Sequence, residues 1–324
     1  MRYRRIAILT AVFVAAAFAG KKNPDDVTQV LDLPKDPPTV AIGTTSRLVF
    51  HVSPLSGKGL LSQQTRDALK AILKANGGGP VIHLRAFVAG SGDLRRVPQI
   101  VSEVFTAKKM PLPSVSVVLV GGLPLEDAQI AIEAVSEVKD AKKDVNPNGL
   151  TFLDAAPPDQ LVSRLASFTP LQVTCFVSSL DGAGALAARF PSAAVDIVQT
   201  QRAPARPDTR CEAVARGGKS AQAEGSVVRD KTVAPRLAFT GTQVAFGSDQ
   251  KAASLAYKRL DQELTTAGIS PSGILQTHVY ALSERLGTLA LNARNNPAAF
   301  TVVAFEGVAS LDGSFAIDYI APTK

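Results

Sequence analysis

Residues 110–138, MPLPSVSVVLVGGLPLEDAQIAIEAVSEV, decide the fold predicted for this chain. Two runs in which apolar and small residues alternate, Ser114–Val120 and Gln129–Val138, are typical of β-strands. The Gly121–Pro124 segment between them contains two glycines and a proline and predicts a connection. The second run carries one acid, Glu133, and a carboxylate in an apolar strand needs a partner or a chemical role. This stretch therefore predicts a strand pair with a candidate functional acid.

The pattern around this strand pair recurs along the chain. Residues 43–140, 141–218 and 226–322 each predict an α+β unit in which strands and helices alternate before a final strand pair, and the second unit is the shortest. The later units repeat the acid, as Glu212 in Cys-Glu-Ala and Asp318 in Ile-Asp-Tyr. A sheet covered by helices on one face must bury its other face, and three units can bury these faces against one another. A division into two lobes is the alternative interpretation.

Residues 1–19 have the composition of a secretion signal. Three arginines precede the apolar run Ile6–Phe18, which is short for a membrane span, and Ala17-Phe18-Ala19 fits a cleavage site. We therefore expect an exported chain, periplasmic or extracellular, with no stable membrane span after cleavage. A retained N-terminal anchor is the alternative. Residues 20–42 are polar and contain prolines, which predicts a linker and then an edge segment.

The composition indicates a folded protein with an apolar core, because 46% of the residues are hydrophobic and 19% are charged. The formal net charge of +7 falls to +4 without the three arginines of the signal. Basic residues gather between Arg202 and Lys231 without aromatic residues among them, so no nucleic-acid partner is predicted. A solvated loop is favoured there over a surface for an acidic partner. Cys175 and Cys211 permit either one disulfide or two buried thiols.

Other motifs argue against several kinds of site. The three histidines, His51, His83 and His278, show no metal-binding spacing, so no metal is predicted. Ser56-Gly57-Lys58-Gly59 lacks the full phosphate-loop pattern and is interpreted as a turn. The chain has no Gly-x-Ser-x-Gly elbow and no Cys/His pair that suggests a nucleophile. We therefore predict no cofactor.

Together these segments resemble the Rid/YjgF family, the reactive-intermediate deaminases. The matching pieces are SGKGLLSQQTRDALKAILKANG, VIHLRAFVAGSGDL and the 110–138 stretch in the first unit, LQVTCFVSSLDG and CEAVAR in the second, and GTQVAFG with the Ala252–Gly268 helix in the third. The resemblance covers most of residues 43–322. It implies a chorismate-mutase-like α+β fold in each lobe. Family members form homotrimers, so three tandem lobes would form an intramolecular pseudo-trimer, a monomer with clefts for a small-molecule ligand between its lobes.

The resemblance also implies where chemistry would take place. Family members hydrolyse 2-enamino or 2-imino acids, holding the substrate carboxylate with an arginine on the penultimate strand and orienting water with an acid on the last strand. The acid has three candidate matches in this chain and the arginine has none: Glu133, Glu212 and Asp318 stand at the acid positions, and Val115, Ala193 and Ala299 stand at the arginine positions. Losing such a charged contact costs about 1.5–3 kcal/mol per hydrogen bond, which disfavours the family's reaction.

Two functional hypotheses of different classes follow. The first is a small-molecule-binding or catalytically degenerate protein, in which the three acids are structural and are satisfied by backbone N–H groups or by a neighbouring lobe's cation. The second is a deaminase or related hydrolase outside the cytoplasm, similar to the chorismate-hydrolysing enzymes, in which the acids act as general bases. Its substrate would be either an imine without a carboxylate or a carboxylate held by another arginine, for which Arg47, Arg85 and Arg236 are available.

Overall fold

A mixed α+β architecture with three β-sheets emerges from the alternating strand and helix patterns. The structure, a computed structural model, describes residues 40–44, 48–90, 94–137, 150–200, 209–216, 227–229, 236–294, 299–308, 310 and 312–323. The predicted signal segment and most of the predicted linker lie outside these residues. The described residues from 40 onward belong to one compact unit. No helix in the described ranges is long and apolar enough to cross a membrane.

The elements fall into three groups along the chain. The first group follows edge strand β1 (Val40–Thr44) and contains β2 (Leu48–Val52), α1 (Leu61–Ala75), β3 (Val81–Ala89), α2 (Arg96–Ala107), β4 (Ser114–Val120) and β5 (Ile130–Glu137). The second group contains β6 (Leu150–Ala156), α3 (Pro158–Leu165), β7 (Thr169–Val177), α4 (Ala183–Ala187), β8 (Ala194–Gln199), β9 (Thr209–Arg216) and β10 (Val227–Arg229). The third group contains β11 (Arg236–Thr240), β12 (Gln243–Ala245), α5 (Gln250–Thr266), a 3-10 turn (Pro271–Gly273), β13 (Gln276–Ala281), α6 (Glu284–Ala293), β14 (Ala299–Ala304), β15 (Gly307–Val308) and β16 (Phe315–Thr323).

The same connection pattern builds the four-strand core of every sheet. The strand orders are β2-β5-β3-β4 in the first sheet, β6-β9-β7-β8 in the second and β11-β16-β13-β14 in the third. In each sheet the last core strand lies between the first and second, and the second and third pair in parallel. A parallel pair needs a crossover connection, which α2, α4 and α6 supply. The strands predicted around the three acids are confirmed as β5, β9 and β16.

Short strands and single hydrogen bonds tie the sheets to one another. β1 pairs with β11 in the third sheet, although it precedes the first group, and β15 of the third group pairs with β8 in the second sheet. β10, which lies inside the predicted third unit, pairs with β6 of the second sheet. The Ala155 N–H donates to Ser116 Oγ at 2.9 Å, and the Gly121 N–H donates to the Ala304 carbonyl at 2.9 Å. The three sheets are therefore joined at their edges.

Each sheet packs its helices on one face and turns its other face toward the centre. Leu69 of α1, Leu161 of α3 and Leu260 of α5 belong to three separate apolar clusters beneath the helices. The opposite faces of the three sheets meet at the centre of the protein and form two shared apolar clusters there. Residues from all three sheets form them: Phe87, Phe176 and Tyr280 in one, and Phe50, Phe152 and Phe239 in the other.

A disulfide joins Cys175 on β7 to Cys211 on β9, which are directly paired across the two strands. Both cysteines are fully buried on the helix-facing side of the second sheet. The structure therefore selects the disulfide from the two alternatives that the sequence left open.

Candidate functional site

A layer of polar side chains crosses the centre of the protein between the two shared apolar clusters. The strand register builds it, since each predicted acid lies opposite a residue of the second core strand: Glu133 opposite Arg85, Glu212 opposite Thr174, and Asp318 opposite His278. The third core strand places one more polar residue beside each of these partners: Ser116, Asp196 and Thr301. None of the nine residues is more than 8% exposed. We call these nine residues the central layer.

Arg85 joins the first sheet to the second. Its Nη1 donates to Glu133 Oε2 at 3.0 Å, while its Nε and Nη2 donate to Glu212 Oε1. Burial by itself lowers the pKa of Arg85, but the charges of Glu212 and Glu133 outweigh burial and raise it. Burial by itself raises the pKa of Glu212, but Arg85 and His83 bring it down to about 2. Arg85 and Glu212 therefore form a buried ion pair at neutral pH.

His278 joins the third sheet to the first. Its Nδ1 lies 2.5 Å from Asp318 Oδ1, and its Nε2 lies 3.3 Å from Glu133 Oε2. Burial by itself lowers the pKa of His278, but Asp318 and Glu133 raise it to about 10. A protonated imidazole donates from both nitrogens, so His278 bridges the two acids as a cation at neutral pH. Its contribution to stability is fully present below the unfolded pKa of about 6.5 and is lost as the pH rises toward 10.

A cavity of about 30 Å³ lies beside the central layer. Its polar wall includes Arg85, Glu133 and Glu212, and its apolar wall includes Phe50 and Phe152. A space of this size holds about two water molecules. Glu133 Oε1 and Glu212 Oε2 are buried and have no hydrogen-bond partner within the described chain. Buried carboxylate oxygens need donors, and water in this cavity would supply them.

The structure brings the three predicted acids together in one layer, whereas the resemblance implied separate clefts between lobes. The positions predicted for the missing arginine lie elsewhere. Val115 packs into the cluster beneath α1 and α2, Ala193 into the helix-side cluster of the second sheet, and Ala299 into one of the shared apolar clusters. Of the three substitute arginines, Arg85 reaches the acids. Arg47 and the side chain of Arg236 lie outside the described residues.

Two important residues of the layer did not enter the predicted site. The sequence pattern gives His278 no metal-ligand spacing and no other role, and the predicted site does not include Asp196. The signal for Asp196 was available, because an acid in the apolar run Ala194–Gln199 is as unusual as Glu133 in its own strand. Within the described residues, no group of three or more His, Cys, Asp and Glu side chains is placed to hold a metal ion.

Solved structures with a detectable likeness to this chain include YjgF-family proteins and a hydrolase. The YjgF gene product of E. coli is 24% identical, with 32% of this chain and 94% of that chain covered and a TM-score of 0.26. A YjgF/YER057c/UK114 family member from Mycobacterium tuberculosis is 17% identical, with 27% and 79% covered and a TM-score of 0.24. A cyanuric acid hydrolase, described as an innovation by structural concatenation, is 9% identical, with 86% and 100% covered and a TM-score of 0.40.

Neither the protein-family models nor the curated proteins gave a match to this chain. The TM-scores of the structural neighbours reported above all lie below 0.5. The likeness therefore assigns no activity and no ligand to this chain, and its function has to be inferred from its own central layer.

Proposed function

We propose that this chain is a catalytically degenerate YjgF-like protein, a monomer in which three tandem lobes form a pseudo-trimer held together by the central layer. The repeated strand order of the three sheets supports the three lobes, and their inward faces support the pseudo-trimer. In this proposal the predicted acids are structural. Each of them lies against a cation: Glu133 and Glu212 contact Arg85, and Asp318 contacts His278.

One observation carries this proposal. Arg85 is the arginine of the central layer, and its N–H groups already donate to two carboxylates of the protein itself, Glu133 and Glu212. A substrate carboxylate would have to displace Glu133 or Glu212 from a buried ion pair, which is unfavourable because the displaced carboxylate would remain buried without its partner.

The second candidate function, a deaminase or related hydrolase, is favoured by a different observation. Glu133 and Glu212 both line the cavity, and one oxygen of each carboxylate has no hydrogen-bond partner among the described residues, although Glu212 Oε2 lies 3.7 Å from His83 Nε2. A water molecule held there would lie beside a potential general base. Opening of the central layer would then be needed to admit a substrate to this water.

An activity measurement separates the two candidates. We expect the purified protein to release ammonia from 2-aminoacrylate, generated in situ, at the rate of the reaction without protein. Glu133→Gln and the matched exposed variant Glu103→Gln should give the same background rate. A rate above background that falls by about 100-fold or more in Glu133→Gln, but not in Glu103→Gln, would establish the hydrolase and contradict our proposal.

We further propose that the chain is exported. The disulfide between Cys175 and Cys211 supports this, because disulfides persist in oxidising compartments, and residues 1–19 have the three parts of a signal peptide. Expressed in a bacterial host, the chain should be recovered outside the cytoplasm with Gly20 as its first residue, as measured by mass spectrometry. Replacing both Ala17 and Ala19 with Arg should prevent cleavage. Recovery of the uncleaved wild-type chain in the cytoplasm would contradict export.

A further inference from the structure

The three junctions between sheets are built from equivalent positions but from different chemistry. At the first junction, Glu212 of the second sheet meets Arg85 and Ser116 of the first. At the second junction, Glu133 of the first sheet meets His278 and Thr301 of the third. In both cases the acid lies against two residues of the neighbouring sheet, one from its second core strand and one from its third. The residue from the second core strand is a cation, so each of these two acids contacts a cation of another sheet.

The third junction departs from this pattern. In the second sheet the residues that correspond to Arg85 and Ser116 are Thr174 and Asp196, which lie side by side on β7 and β8. If the third junction repeats the arrangement of the other two, these are the residues that face Asp318, and the charge of Asp318 does act on Asp196. No cation stands at either position, and one of them is a second acid. Asp196 and Asp318 are both 0% exposed. Two carboxyl groups thus occupy the place where the other junctions have an acid and a cation.

Hydrogen bonding shows which oxygen of Asp196 is able to carry a proton. Gln172 Nε2 donates to Asp196 Oδ2 at 2.9 Å, so that oxygen acts as an acceptor. Asp196 Oδ1 is buried and has no hydrogen-bond partner among the described residues, and the same is true of Asp318 Oδ2. A proton on Asp196 Oδ1 would turn one of two repelling acceptors into a donor, which removes the like-charge repulsion.

The charges around the pair leave this proton in place. His278 donates to Asp318 Oδ1 but shares its charge with Glu133. Tyr280 also faces the pair, and its pKa is raised by burial and by the charges of Asp318 and Asp196, so it supplies no charge that offsets them at neutral pH. A backbone N–H from Thr242 favours the ionised form of Asp196, as does Gln172. Burial and Asp318 outweigh these contacts and raise the pKa of Asp196 well above its usual value.

We propose that Asp196 and Asp318 form a buried carboxyl pair in which Asp196 keeps its proton, which makes the contact between the second and third sheets the first junction to weaken as the pH rises from 4. The other two junctions are ion pairs at neutral pH and do not need a protonated carboxyl group. This inference concerns the stability of one junction and holds whether or not the chain is catalytic.

The sign of the pH dependence follows from linkage. The folded chain keeps a proton on Asp196 that the unfolded chain releases near pH 4, so the folded-to-unfolded ratio falls as the pH rises above 4. One linked proton changes that ratio by at most about tenfold per pH unit, until the pH passes the pKa of Asp196 in the folded protein. His278 adds its own loss, but only above about pH 6.5.

Asp196→Asn tests the pair directly, because its amide can accept from Gln172 and donate toward Asp318 as the protonated acid does. Urea unfolding would be measured at several pH values between 5 and 8. As the pH rises, the folded-to-unfolded ratio of the wild type should fall more steeply than that of Asp196→Asn, by up to about tenfold per pH unit, because the wild type releases one more proton on unfolding. The stability advantage of the variant over the wild type should therefore grow with pH. Asp181→Asn, an exposed aspartate of the same sheet region, should leave the wild-type slope unchanged.

An infrared measurement makes the test independent of stability. At neutral pH the wild type should show the C=O stretch of a buried carboxylic acid, which Asp181→Asn keeps and Asp196→Asn loses. The proposal is overturned if the stability curves of wild type and Asp196→Asn run parallel, or if no such band depends on Asp196.

Discussion

Replacing Arg85 with Met should cost about 3–5 kcal/mol of unfolding free energy, among the largest single-residue effects in this protein. The change leaves Glu133 and Glu212 buried at the centre without the guanidinium that holds them together. Removing one partner of a buried ion pair is costly because the remaining charge stays uncompensated. Urea unfolding at pH 7, followed by circular dichroism, would measure the loss.

Two further variants show whether the cost comes from the orphaned carboxylates. Arg85→Met combined with Glu212→Gln should be less destabilised than Arg85→Met alone, because one of the uncompensated charges has been removed. Arg66→Met breaks an exposed pair with Glu103, whose N–O distance is 2.6 Å, and should cost about 1 kcal/mol at most. If Arg85→Met cost no more than Arg66→Met, the central layer would not hold the sheets together.

Replacing both Cys175 and Cys211 with Ala should cost about 3–4 kcal/mol. The disulfide closes a loop with a sequence separation of 36 residues, and the chain entropy that such a loop removes from the unfolded state gives a stabilisation of this size. Thermal or urea unfolding of the oxidised protein would measure the difference.

The single variants supply the control. Cys175→Ala and Cys211→Ala each break the same bond, so each should lose nearly as much stability as the double variant. Two independent buried thiols would instead give two small losses that add. Two results together would show that no disulfide forms. The stability losses of the two single variants would be small and additive, and both thiols of the wild type would react with an alkylating reagent after unfolding without reductant.

The core strands of the three sheets could be predicted from the sequence because their signals are local. Alternating apolar runs such as Ser114–Val120 and interrupting Gly/Pro segments mark strands and turns without knowledge of the neighbouring sheets. β10 and β15 could not be found in this way, and for β1 the sequence predicted an edge segment ending at residue 42 but not the sheet that it joins. β1, β10 and β15 contain five, three and two residues, and each is a strand because an edge of another part of the chain is available to it.

The site was predictable only in its acids. Glu133, Glu212 and Asp318 stand out because each is a charge in an apolar strand, and the structure places all three in the central layer. Their partners come from other sheets, and the spacing of residues along a chain does not show which residue of another sheet will face a given acid. Arg85 was therefore one arginine among three, and the join between His278 and Glu133 had no local signal at all.

The central layer also has an evolutionary consequence. In a symmetric homotrimer one codon change alters all three junctions at once, because every junction repeats the same residues. In this chain the second-strand position is Arg85 in one sheet, Thr174 in the next and His278 in the third, so each junction is encoded separately. A substitution can then be tried at one junction while the other two preserve the assembly. Such a chain can accept an acid without a cation, such as Asp196, at one junction without having to accept it at all three.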